Sequence, residues 1–291
     1  MKTSYQPQNV LTSRARLGES TLWDADRHLL YWVDIYNHRV QQFDPASTEN
    51  RVFEVGDVVG PIALAGPDRL IMAQRDRIAF LNTQDGQIKP LLSLESDKPS
   101  NRFNDGKCDT QGRFWLGSIS QTPGQASLYR YDPDGSVQVM ETNLTISNGL
   151  GWSPDETTFY LTDSQKGQIY AYRFDAATGS IEDRRVLIDL SEEGVEPDGM
   201  AIDSDGCIWS ALWNGWCVAR FDPQGQEMLR VQLPVQCPTC CAFGGEDLNE
   251  LYITTASIGL SQQEIEKGFY AGDIFCVQTD VKGLPSNHFG G

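Results

Sequence analysis

Six times along the chain, a turn rich in Asp, Gly and Pro leads into a short apolar strand. The turn-and-strand runs are WDADRHLLYWVD, LAGPDRLIMAQ, CDTQGRFWLGS, WSPDETTFYLTD, IDSDGCIWSAL and FGGEDLNELYITT. A second strand usually follows, ending near Asp-Pro or Asp-Gly, as in VQQFDP and SLYRYDPDG. The turns open at Asp24, Gly66, Asp109, Ser153, Asp203 and Gly244, with spacings of 42, 43, 44, 50 and 41 residues. Helical periodicity is almost absent between them, apart from a single turn of helix expected over Ser261 to Gly268. Six all-strand units of this size match the blades of a β-propeller. A strand solenoid is the competing architecture, but it needs polar caps, and neither end of the chain carries a distinctive one. The expectation is therefore an all-β, six-bladed β-propeller of four-stranded antiparallel blades, as one domain over residues 1–291. The segment around Val10 and Leu11 is expected to complete the sixth blade. Trp23, Trp32, Trp115 and Trp209 are read as packing between blades, and most Asp-Gly and Asp-Pro pairs as turns.

Equivalent positions of a propeller lie on a ring about one axis. Five residues before each turn stand Glu19, Pro61, Asn104, Asn148, Asp198 and Thr239. Each taken alone is ordinary turn or strand-end chemistry. Together they place several oxygen donors at one mouth of a central channel, with Glu19 and Asp198 as neighbours despite their separation in sequence. Hard oxygen donors suit Ca²⁺, Mg²⁺ or Mn²⁺, and also accept Zn²⁺ or Fe²⁺. Gly18, Gly149 and Gly199 adjoin three of the positions, where glycine permits close backbone approach. The run NRFNDGKCD adds Arg102 two residues before Asn104. The chain carries 40 acidic against 23 basic residues, a net charge of -17. That balance argues against nucleic acid or an anionic membrane as partner. An oxygen-rich substrate would therefore need a local cation such as Arg102, whose plainer role is a salt bridge at the rim.

Other chemistry finds little support. There is no G-x-S-x-G elbow, H-E-x-x-H motif, G-x-G-x-x-G or P-loop, and the three histidines, at 28, 38 and 288, lie away from the ring. Seven cysteines are read as free thiols of a reducing compartment. Among them, Cys237, Cys240 and Cys241 lack a second Cys or His pair for zinc and are read as buried structural thiols. No apolar leader opens the chain and no segment is long enough to span a bilayer, so a cytoplasmic location is expected. Asn143-Leu144-Thr145 matches a glycosylation acceptor that this location would leave unused.

The sequence resembles the senescence marker protein-30 (regucalcin)/gluconolactonase family. The resemblance rests on LGESTLWD (17–24), NRFNDGKCD (101–109), SNGLGWSPD (147–155), PDGMAIDSDG (197–206) and PTCCAFGG (238–245), in order over nearly the whole chain. It implies one divalent metal in the central channel and hydrolysis of sugar lactones to aldonic acids. It further implies Glu19, Asn148 and Asp198 as metal ligands, Asp198 also as general base, and Arg102 with Asn104 as substrate-binding groups. Whether Asp198 itself takes the proton, or a group in the metal's own shell, is open at this point. Relatives similar to regucalcin carry an acidic pair after a GRxxxGTM run. Here Gln121 and Thr122 stand there, which puts substrate preference in doubt; Asp105, Gln121 and Thr122 are supporting candidates. The rival functions are a metal-dependent phosphotriesterase or other esterase, and a non-enzymatic calcium-binding propeller. No obligate protein partner is indicated.

Overall fold

The computed structural model describes residues 5–267 and 270–290. Among these residues, twenty-four strands form six four-stranded antiparallel sheets. Five sheets each use four consecutive strands, running from the channel outwards. The innermost strands are Gly18–Asp24, Val59–Leu64, Arg102–Cys108, Ser147–Trp152, Glu196–Ile202 and Pro238–Gly244. The sixth sheet takes its fourth strand from the other end of the chain, Gln8–Leu11, which pairs antiparallel with Ile274–Gln278. The six-bladed propeller and its N-terminal closing strand are as the repeats imply. A helix occupies Gln262–Lys267, and Gly268 lies outside the described residues.

Burial follows strand position. All seven residues of Gly18–Asp24 are buried, whereas the outer strand Ser180–Asp189 buries one. The inner strands are covered on both faces by adjoining blades, so burial along them does not alternate even where the residues are polar. Trp32, Trp115 and Trp209 are fully buried between blades, and Trp23 nearly so.

The turn aspartates do more than turn the chain. Asp203 Oδ1 accepts the backbone N–H groups of Asp205 and Cys207, while Oδ2 accepts Trp209 Nε1 at 2.9 Å and Arg220 Nε at 2.8 Å. Blade three repeats the device: Asp109 takes the N–H groups of Gln111 and Arg113, Trp115 Nε1 at 2.8 Å and Arg113 Nε at 2.6 Å. One carboxylate thus fixes the hairpin, satisfies a buried indole and neutralises a buried guanidinium.

The C-terminal segment forms a strap across one end of the channel. Gly283 N donates to Leu248 O and Ser204 N to Lys282 O, near blades five and six. Further on, Phe289 N donates to Leu64 O and Gly290 N to Gly112 O, and the Phe289 ring stacks on Tyr131 at 5.4 Å. Residues 284–287 cross between these anchors.

Candidate active site

Each innermost strand breaks register at the ring. The irregularities fall between Glu19 and Leu22, Val59 and Ile62, Phe103 and Gly106, Asn148 and Leu150, Pro197 and Met200, and Pro238 and Cys240. Such bulges re-aim side chains that regular strands would bury between blades. The glycines follow from the same crowding. A Cβ on Gly149 would meet Asp198 O at 2.2 Å, and one on Gly199 would meet Cys240 Sγ at 2.6 Å. Asn148-Gly149 is therefore a polar side chain followed by a residue that lets blade five approach the axis.

Four side chains near the axis accept the N–H of the next residue: Glu19 from Ser20, Asp105 from Gly106, Asn148 from Gly149 and Asp198 from Gly199. All four are buried. Glu19 and Asp198 are neighbouring buried carboxyls, and the protonated form of each is favoured. Burial pushes Glu19 up to about 8, and the charge of Asp105 adds to this; Ser20 N–H, Asp198 and Arg102 oppose it. Burial also drives Asp198 well above the usual carboxylate range, reinforced by Glu19 and Asp105. Asp105 Oδ2 is buried without a hydrogen-bond partner among the described residues.

Arg102 and Asn104 form a polar arm at the same mouth. Arg102 Nη1 donates to Asn104 Oδ1 at 2.8 Å and to Phe103 O at 3.0 Å, and Asn104 Nδ2 donates to Ser147 O. The guanidinium lies 5.3 Å from the Tyr36 ring centroid, and Nε donates to Tyr36 Oη at 3.4 Å. Among the described residues it makes no salt bridge, so the rim ion pair is not its role here. Tyr36 went unnoticed in the sequence. It sits in the 3-10 turn Ile35–Asn37, outside the in-phase positions. Its only sequence signal is that this turn follows directly on a strand ending beside Gly18, since Gly18 pairs with Asp34. Pro61 and Thr239 add no acid to the ring; Thr239 Oγ1 donates to Gly18 O at 2.5 Å. Gln121 and Thr122 are exposed on the loop after Ile119, which pairs with Arg102, so they share its end of blade three without joining the buried group.

The expected divalent cation does not fit this arrangement. Among the described residues, no three His, Cys, Asp or Glu side chains are grouped so as to hold a metal ion. Of the expected ligands, Glu19 spends one oxygen on Ser20 N and Asp198 one on Gly199 N. Asn148 spends Oδ1 on Gly149 N and Nδ2 on Ser164 Oγ. The expectation of a Ca²⁺, Zn²⁺, Mg²⁺, Mn²⁺ or Fe²⁺ cofactor is corrected accordingly, and no chemical step is assigned to one. Cys237, Cys240 and Cys241 are buried and unbridged, and burial pushes their thiols up, away from the reactive thiolate. No helix among the described residues is long and apolar enough to cross a membrane.

What remains is a buried acid pair beside a guanidinium–amide arm, in a pattern set by five motifs in fixed order. Known proteins resemble the chain over nearly its whole length. Regucalcin of Gallus gallus is 36% identical over 99% of this chain and 100% of its own length. Pentonolactonase XacC of Haloferax volcanii is 34% identical over 95% of both chains. The solved structure of the calcium-binding protein regucalcin from Agrobacterium tumefaciens superposes with a TM-score of 0.94 at 27% identity, covering 98% of this chain and 97% of its own. Residues 17–257 match the model of the SMP-30/Gluconolactonase/LRE-like region. With motifs, ring and whole-chain relatives in agreement, the chain belongs to the SMP-30/gluconolactonase family.

Proposed function

We propose that the protein is a lactonase that hydrolyses a gluconolactone-like sugar lactone to its aldonic acid. The observation that carries this reading is the buried Glu19–Asp198 pair facing the same mouth as Arg102 and Asn104. Family membership supports a hydrolytic role, and the pentonolactonase among the relatives supports a sugar lactone.

The chemistry uses this chain's own groups. Arg102 and Asn104 hold the sugar hydroxyls, which fixes the ester carbonyl over the acid pair. With the pair's proton on Glu19, the less favoured of its two placements because burial drives Asp198 well above the carboxylate range, the ionised Asp198 takes a proton from water as the water oxygen bonds to the carbonyl carbon. The bond from that carbon to the ring oxygen breaks, and the proton held on Glu19 passes to the departing oxygen. The pair ends with one proton, now on Asp198, and the product carries a carboxyl and a new hydroxyl. Two carboxyls whose surroundings push them to share a proton divide acid and base roles in this way. A polar, hydrogen-bonding arm favours polyhydroxylated lactones over apolar phosphotriesters.

The test is turnover of gluconolactone, galactonolactone, xylonolactone and arabinonolactone by the protein as purified, above spontaneous hydrolysis. Turnover lost in Asp198→Ala supports the reading. No turnover of any of the four overturns it.

A further inference from the structure

Not all of the space near the axis belongs to the acid pair. A cavity of about 270 Å³ lies at the far end of the channel, lined by residues that follow the bulges and by the C-terminal strap. Glu19, Arg102, Asn104, Asn148 and Asp198 do not line it. Its walls are mainly apolar, with Leu22, Ile62, Trp152, Ile202 and Phe243 from five blades and Leu284 from the strap. Lys107, half-buried on the inner strand of blade three, reaches across to donate to Met200 O of blade five. Among the described residues it makes no salt bridge. An ammonium has three N–H donors, and the one bond to Met200 leaves two unspent.

We propose that this cavity is a second ligand site, for a small uncharged molecule with an apolar body and one oxygen acceptor directed at Lys107. Three features set this class. The apolar walls take an apolar body and the few polar groups fix its orientation, as in small-molecule sites generally. The volume sets the size: a dry cavity of about 150 Å³ takes benzene, so this one takes a ring with a short substituent. The charges set neutrality. Lys107 is the cation, while Asp105 and Glu156 also line the cavity as acids, so the site offers no single sign of charge for an ion to match. A ketone or ester oxygen accepts from the ammonium and needs no such match. The strap contributes one wall, residues 284–287, held between anchors on both sides.

Binding to the full chain is measured by calorimetry and by chemical-shift titration, with acetophenone as probe and ethylbenzene as the matched hydrocarbon. Acetophenone is expected to bind one-to-one, undisplaced by gluconolactone, and about tenfold more tightly than ethylbenzene. Lys107→Met is expected to remove that tenfold preference and leave ethylbenzene unchanged. Ala242→Trp fills the cavity and is expected to abolish binding of both; should that variant not fold, Leu284→Asp in the strap serves the same purpose. Absence of saturable acetophenone binding, binding that survives the filling variant, or a preference that survives Lys107→Met overturns the proposal. Lactone turnover is not the readout, so failure here leaves the lactonase reading standing, and the reverse.

Discussion

Replacing Asp203 by Ala removes one carboxylate and strands several buried groups at once. The side chain is fully buried, and Arg220 is within 2.7 Å of it and itself 7% exposed. The variant leaves the Arg220 guanidinium with only Asp205, a largely exposed partner, and the Trp209 indole N–H with none. Breaking a buried ion pair by deleting one partner costs about 3–5 kcal/mol, because the surviving charge stays buried. Unfolding entropy near the melting point is about 2.1 cal/mol/K per residue, so a chain of 291 residues is expected to lose roughly 5–8 °C in Tm. Denaturant titration with scanning calorimetry reads both quantities. The companion variant Asp203→Ala/Arg220→Met tests the cause: with the stranded charge gone, it should recover a substantial part of the loss. A single-variant loss under about 1 kcal/mol, or a double variant no more stable than the single, would show that the buried charge is not what the carboxylate holds in check.

Asp198→Asn should lower kcat on the best lactone by about 10²–10⁴, the usual contribution of a positioned base; near-normal turnover would remove Asp198 from that role. Arg102→Ala should raise KM more than it lowers kcat, and Arg102→Lys should fail to restore it, since a point charge replaces a planar fork on Tyr36; unchanged lactone preference would refute this. Glu19 titrates at about 8 in the fold against 4.5 for a free glutamate, so between those values the folded chain holds a proton the unfolded chain has lost. Stability from this group is therefore present at low pH and declines as pH rises through that interval, and Glu19→Gln should flatten the decline in pH-dependent denaturation. Gly149→Ala drives a methyl into Asp198 O and should reduce both Tm and turnover; a variant matching the parent in both would contradict the packing at the axis.

The repeats made the architecture legible because each blade must turn at the same place, and Asp, Gly and Pro are the residues that turn. Counting back from those turns located the bulged ring, since a bulge sits at a fixed distance from its hairpin. Glu19, Asn148 and Asp198 are brought to one axis as the phase implied. What they do there was less legible. A count of oxygen donors suggested a cation, but the count is blind to where each oxygen points and to the N–H groups already spent on Glu19 and Asp198. Tyr36 was hidden because it belongs to a connection between strands, and connections carry no repeat signal. The strap was hidden for the same reason: residues 283–290 hold no periodic pattern, and their place is set by main-chain bonds to Leu64, Gly112 and Leu248. The turn aspartates were read correctly as turns, yet their grip on Trp115, Trp209, Arg113 and Arg220 depends on partners up to 17 positions away.

The pairing of Gln8 with Cys276 also puts the molecule's assembly in a fixed order in time. As the chain is made, the strand at Gln8–Leu11 emerges early and waits for a partner that emerges near the end, a delay on the order of tens of seconds at ordinary synthesis rates. Until then the ring is open, and one side of blade one, with Trp23, Leu30 and Trp32, lacks the neighbour it packs against in blade six. A chain halted at any earlier blade therefore presents an adhesive face instead of a smaller finished protein. The ring closes only after synthesis has passed blade six, and what must be kept apart from other chains in that interval is the uncovered side of blade one.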